Sequence, residues 1–257
     1  MNHQTVDPRQ DVLKNKTEDL VIQAEETFLI ANKPPGLPTL ADGYDPAAPY
    51  LVGLLEKAYG RLWVVHRLDK ETSGILLLAR TPDAHRTLNT QFEKRHVVKT
   101  YHALVTGNPT WEEQVVRAPL RADGDRRHRT IVDARRGKAS FTSVHLLERF
   151  GRYALVEAIP HTGRTHQIRV HLAFLGHPVA ADSLYGNRQG IFLSEIKPSY
   201  RGDQAGEAPL LNRVGLHAWS LEFAHPQNGE RSYCEASYPQ DLDVTLRQLR
   251  RHSHHIR

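Results

Sequence analysis

Apolar runs of strand length are interleaved irregularly with helical patterns along these 257 residues, and that irregularity constrains the fold most. Strict alternation would call for parallel βαβ units, whereas irregular order predicts an α+β fold. Phe28-Leu29-Ile30-Ala31 reads as a strand stopped by the turn-forming Lys33-Pro34-Pro35-Gly36. Gly74-Ile75-Leu76-Leu77-Leu78-Ala79 reads as a buried strand, and further strands are predicted over 101–105, 140–147, 153–159, 217–223 and 232–238. Leu51, Leu54, Leu55 and Ala58 have the spacing of an amphipathic helix within 48–60. Thr81 as N-cap and Pro82 at the first helical position open a second helix, to about residue 95. A third is expected over 165–175, stopped by Gly176 and Pro178, and a last over 242–251. Residues 186–212, rich in Gly, Pro and charge, are expected to form an excursion from the core. Residues 1–19 lack periodicity and are expected to be a mobile arm, leaving 20–257 as the folded domain.

No apolar run approaches the ~20 residues that span a bilayer, and the first sixteen residues have no secretory pattern. The single cysteine, Cys234, excludes an internal disulfide and a cysteine-based zinc site, and points to a reducing, cytoplasmic location. Net charge is +5, and its distribution is informative. Arg117, Arg121, Arg126, Arg127, Arg129, Arg135, Arg136 and Lys138 face only Asp123, Asp125 and Asp133, and the tail adds Arg247, Arg250, Arg251 and Arg257. One such cluster is compatible with a plain solvated surface. Two on an otherwise balanced chain favour a nucleic-acid partner.

Three segments hold residues suited to chemistry. In His66-Arg67-Leu68-Asp69-Lys70-Glu71-Thr72-Ser73-Gly74 a carboxylate lies between basic neighbours beside a strand. Asp69 could react there, or simply cap a turn or pair with Arg67. In Lys99-Thr100-Tyr101-His102-Ala103-Leu104-Val105, Tyr101 suits either a half-buried core position or a face offered to a base. The donor-rich His161-Thr162-Gly163-Arg164-Thr165-His166-Gln167-Ile168-Arg169-Val170-His171 suggests an anion-facing helix start. Its histidines recur every five residues, which turns each imidazole by roughly 140° from the last on a helix. No metal site is expected.

Together these segments resemble the RluA-type family of pseudouridine synthases. The resemblance rests on His66-Arg67-Leu68-Asp69 with Thr72-Ser73-Gly74, on Lys99-x-Tyr101-x-Ala103, and on Gly163-Arg164-Thr165-His166-Gln167-Ile168-Arg169-x-His171. Asn32-Lys33-Pro34-Pro35-Gly36 resembles the family's first motif, and Gly176-His177-Pro178 with Asp182-x-x-Tyr185-Gly186 resembles the stretch after its third. The motifs occur in the family's order across residues 27–238.

The resemblance implies a mixed, largely antiparallel, curved central sheet flanked by helices and loops. It implies that Asp69 is the catalytic carboxylate, that Tyr101 stacks on the target uracil and helps move a proton, and that Arg169 pairs with the aspartate. Arg67 would fill the space left by a flipped nucleotide. His66, Thr72, Lys99, Arg164, His166 and Gln167 are expected to contact RNA, with Arg126, Arg127 and Arg129 of the basic span. The reaction breaks N1–C1′ and forms C5–C1′ of a uridine, so it needs no cofactor. Whether Asp69 attacks the ribose or the base is left open.

Many relatives have an S4-like RNA-binding domain ahead of the first strand; about nineteen residues are too few for one. The substrate is expected to be transfer RNA or large-subunit ribosomal RNA, with transfer RNA therefore slightly favoured, and a monomer is the default expectation. The competing reading is an RNA-binding or ribosome-assembly module with dispensable catalysis. A metal-dependent nuclease is a remoter one.

Overall fold

The computed structural model describes residues 17–43, 45, 47–186 and 190–253. The expected arm lies outside these up to residue 16, as do part of the 186–212 excursion and the end of the basic tail. Thr17–Leu20 forms a 3-10 turn, so regular structure begins just ahead of the expected boundary. In chain order the elements are β1 (Val21–Ala24), β2 (Phe28–Lys33), α1 (Leu51–Tyr59), β3 (Trp63–Val64), β4 (Ser73–Ala79), α2 (Pro82–Glu93) and β5 (Val98–Thr106). Next come β6 (Glu113–Val116), β7 (Leu120–Arg121), β8 (Ile131–Val132), β9 (Thr142–Arg149), β10 (Tyr153–Pro160) and α3 (Gln167–Phe174). The chain closes with α4 (Leu193–Ile196), β11 (Leu216–Ala224), β12 (Arg231–Glu235) and α5 (Gln240–His252).

These elements fall into two compact units. The first comprises the chain up to Val98 together with Ala218–Ser237; the second comprises Lys99–His217 and the chain from Tyr238 onward. In the first, strand order is β1-β2-β4-β11, with β3 on β4 and β12 on β11. The pairings of β1 with β2, β2 with β4, β3 with β4 and β11 with β12 are antiparallel. All seven residues of β4 are buried, because both its faces are covered; such strands read as continuous apolar runs. Gly74, at φ 112°, lies so close to β11 that a Cβ would sit 2.2 Å from the Ala218 carbonyl oxygen. Only glycine fits there. On α2 the Thr81 hydroxyl caps the Ala84 N–H at 3.2 Å, and Ala84 and Leu88 face the core.

The second unit is an antiparallel sheet in the order β5-β10-β9-β6, with β7 and β8 as a separate two-stranded ribbon. Alternation along β5 sends Ala103 and Val105 to a cluster with Val144, Val156, Ile168 and Leu172. Leu104 goes to the other face, where Leu242, Leu246 and Leu249 of α5 pack. The fold is thus α+β and mostly antiparallel. Between β5 and β9, where no strand was expected before residue 140, the structure adds β6, β7 and β8. Two- to four-residue strands are too short to show a period. The third helix starts at Gln167 rather than 165 because its N-cap, His166, adopts φ 53°.

Candidate active site

Asp69 belongs to the first unit; Tyr101 and Arg169 belong to the second. Asp69 is half-buried on the loop between β3 and β4, where its carbonyl accepts the Thr72 N–H at 3.1 Å. The loop is braced from beneath by Lys33, which is fully buried. Its ammonium donates to the carbonyls of Pro34 (2.9 Å), Leu37 (2.8 Å) and Lys70 (3.1 Å), one acceptor for each proton. Gly36 N–H also donates to Lys70 O at 2.9 Å. On the other flank the Thr39 hydroxyl bonds both the carbonyl (3.1 Å) and the N–H (3.3 Å) of buried Leu68. The proline-rich turn and the Asp69 loop are thereby one rigid piece, a role for Lys33 that its sequence position between strand and turn does not disclose.

Other residues of this loop divide by exposure. Arg67 is exposed. Thr72, expected to contact RNA, is instead buried at 2% and packs behind the loop. His66 accepts the Leu77 N–H on Nε2 at 3.0 Å, and its ring stacks on Phe92 at 4.7 Å, so it ties the loop to β4 and α2.

In the second unit, Tyr101 on β5 pairs with Ala158 of β10, and its half-buried ring packs on the sheet's core. Burial pulls the Lys99 ammonium below the usual lysine range, and its Nζ lies 4.0 Å from where a Cβ on Gly163 would sit. Arg169, on α3, donates from Nε and one terminal nitrogen to the two carboxylate oxygens of Asp182 at 2.7 and 2.9 Å. Asp182 is fully buried and Arg169 nearly so. Burial pushes the Asp182 carboxyl up. The Arg169 guanidinium, with the N–H groups of Tyr185 and Leu184, outweighs this and holds it below the usual carboxylate range. The bidentate contact fixes the direction of the guanidinium as well as its charge.

Around this pair the structure adds partners that were not expected. The Tyr185 ring lies 5.0 Å from the Arg169 guanidinium, and its hydroxyl accepts the Thr130 N–H at 3.0 Å and meets His166 Nδ1 at 2.9 Å. Arg129 pairs with Asp125 at 2.7 Å and donates to Leu184 O at 3.0 Å. It fastens the basic ribbon to the turn that holds Arg169. Arg126 and Arg127 remain exposed. Their loop is shaped by the acids among them: Asp125 accepts the N–H groups of Arg127 and Arg129, and Asp133 those of Arg135 and Arg136.

Gln167 is a correction as well. It is 4% exposed, accepts from Thr162 (2.6 Å) and Arg164 N–H (3.1 Å), and donates to Phe141 O and the Thr142 hydroxyl, each at 2.9 Å. The first turn of α3 is buried, so the expected anion-facing helix start turns inward. The three histidines go to three places. His161 is exposed, His166 meets Tyr185, and His171 is buried between the Thr142 hydroxyl (2.8 Å) and Ala118 O (3.1 Å). Among the described residues no group of three or more His, Cys, Asp or Glu is placed to hold a metal, and no helix is long and apolar enough to cross a membrane. Asp182 was legible as part of a motif, but its partner was not.

Residues 27–174 match the family described as RNA pseudouridylate synthase. The chain is 35% identical over 246 residues to ribosomal large subunit pseudouridine synthase C of Haemophilus ducreyi, covering 92% of this chain and 72% of that protein. It is 33% identical over 254 residues to ribosomal large subunit pseudouridine synthase D of Neisseria meningitidis serogroup B, covering 96% and 66%. Human RNA pseudouridylate synthase domain containing 4 is similar in structure, with a TM-score of 0.72 and 26% identity over 94% of this chain and 97% of that one. The chain belongs to the RNA pseudouridylate synthase family, as an isomerase of the RluA type.

Proposed function

We propose that the chain isomerises uridine to pseudouridine within a structured RNA, with Asp69 as the nucleophile. One observation carries this: Asp69 lies half-buried on a loop whose two flanks are fixed by buried Lys33 and Thr39, as an attacking carboxylate needs. Tyr101 is assigned to stacking on the uracil and assisting proton transfer, and Arg169 to the carboxylate. A uridine must leave its stack before its glycosidic bond is reachable, and stacking on a tyrosine offsets part of that cost. N1–C1′ breaks, the uracil turns in place, C5–C1′ forms, and the proton lost from C5 is balanced by one gained at N1. Nothing is oxidised and no group is imported.

Exposed Arg67, Arg126 and Arg127, with half-buried His66, Lys99, Arg129, Arg164 and His166, are the RNA contacts this reading retains. The names of the relatives weigh towards large-subunit ribosomal RNA over the transfer RNA favoured from sequence. A cytoplasmic monomer with its catalytic domain over 20–257 completes the proposal. Asp69→Asn should abolish product and leave RNA affinity within about twofold, since a carboxylate makes no attractive phosphate contact. Pseudouridine formed by that variant would overturn the assignment. Mapping pseudouridines in cells with and without the protein identifies the RNA; loss confined to transfer RNA would reject the ribosomal substrate.

A further inference from the structure

At one end of the second unit's sheet, three strand ends lie in register. Val116 pairs with Thr142, and Thr142 with Pro160. One residue further along, Arg117, Phe141 and His161 therefore stand side by side, and the His161 N–H donates to Phe141 O at 3.0 Å. Alternation puts all three on the same face. Their neighbours Ala118, Thr142 and Thr162 are buried. The outward three stack: the Arg117 guanidinium lies 4.2 Å from the Phe141 ring centre, and the His161 imidazole 4.0 Å from it at 13°. With Phe141 on the middle strand, Arg117 and His161 flank its ring on either side, close to the ~4.8 Å spacing of neighbouring strands. Both outer members are exposed.

The stack is held from behind by the segment richest in family motif residues. Gln167 donates to Phe141 O, and the Thr162 hydroxyl accepts the Phe141 N–H at 3.1 Å, so the middle residue is pinned at both main-chain groups. Gln167, Thr142 and His171 form a buried chain of hydrogen bonds ending on Ala118 O, next to Arg117. His161 is fixed at its edge too, by Nε2 to the Ser143 hydroxyl at 2.9 Å. Arg164 lies alongside, within 3.4 Å of Ala139 O. Partial desolvation and the Arg117 charge lower the His161 pKa from the ordinary histidine value, which disfavours the charged ring.

From this geometry we infer that Arg117, Phe141 and His161 form a preformed stacking platform for an unpaired RNA base. The base lies on the outer face of His161, and Arg117 and Arg164 meet the adjoining phosphates. The inference rests on the reading of this chain as an RNA-modifying enzyme, and it adds a contact separate from the target uridine. A rigid aromatic face costs little ordering on binding, and every base has a face to stack.

The test uses the full chain and a short single-stranded oligouridylate carrying one 2-aminopurine, whose fluorescence is quenched on stacking. His161→Ala should weaken binding roughly five- to hundredfold and abolish the quench, while the slope of log affinity against log salt is unchanged. His161→Trp should bind more tightly. Phe141→Leu should behave like His161→Ala; if it does not fold, the exposed His161 variants still decide. Wild-type binding by His161→Ala, or no quench with the wild-type protein, would overturn the platform. So would a loss accompanied by a shallower salt slope, which marks a phosphate contact. Pseudouridine formation by the wild-type protein and its loss in Asp69→Asn report on the catalytic reading separately, so either proposal can fail alone.

Discussion

Around Asp69 the chain is fixed by main-chain carbonyls gathered on one buried ammonium and by a glycine pressed against a neighbouring strand. Around Arg169 it is fixed by paired side-chain charges and a tyrosine hydroxyl. The first arrangement holds a backbone still; the second aims a guanidinium. Acid takes nothing from carbonyl acceptors held on an ammonium, so the Asp69 loop should keep its shape as pH falls. The Arg169 region depends on an ionised carboxylate, which acid can remove.

The sharpest break in that contrast should come from Asp182→Ala, which removes the bidentate acceptor of a buried guanidinium. A loss of about 3–5 kcal/mol in urea unfolding is expected. Asp182→Asn adds the pH signature. Because the folded-state pKa of Asp182 is depressed, its stabilisation is complete above the ordinary carboxylate pKa and fades as pH falls through the lower folded value. The wild-type advantage over Asp182→Asn should thus be level near neutrality and shrink below about pH 4. An advantage independent of pH would show that the carboxylate charge is not what matters.

Lys33→Met should cost about 2–3 kcal/mol, since buried carbonyls left unmatched cost about 1–3 kcal/mol each and relaxation recovers part. Turnover should fall further than affinity for RNA, because the loop under Asp69 loosens while phosphate contacts persist. An unchanged kcat in the folded variant would reduce Lys33 to a stabilising role. Tyr185→Phe should cost about 1–2 kcal/mol, the scale of a buried N–H losing its acceptor. If its melting matches wild type, the tie between the basic ribbon and α3 is not carried by that hydroxyl. Smallest in stability are Arg126→Ala and Arg127→Ala, each within about 0.5 kcal/mol. Each should nevertheless lower the salt slope of RNA binding by about 0.7–0.9 if it neutralises one phosphate. A slope unchanged in both would remove the ribbon tip from the RNA contacts.

The sequence by itself determined whatever depends on neighbours along the chain. The continuous apolar run of β4, the Thr81-Pro82 start of α2 and the Leu51–Leu55 face of α1 are local patterns, and each was found within a few residues. The ordered motifs likewise identified the family. Only the tertiary structure decided which motif residues are buried and which stay accessible. Thr72 and Gln167 are polar and lie in motifs, yet both are buried, because their side chains find acceptors or packing from distant strands. Arg169 acquires Asp182, Arg129 acquires Leu184 O, and Arg117, Phe141 and His161 become neighbours, through contacts with no local spacing rule. Strand register sets these contacts, and register depends on how whole strands align rather than on any one residue's type.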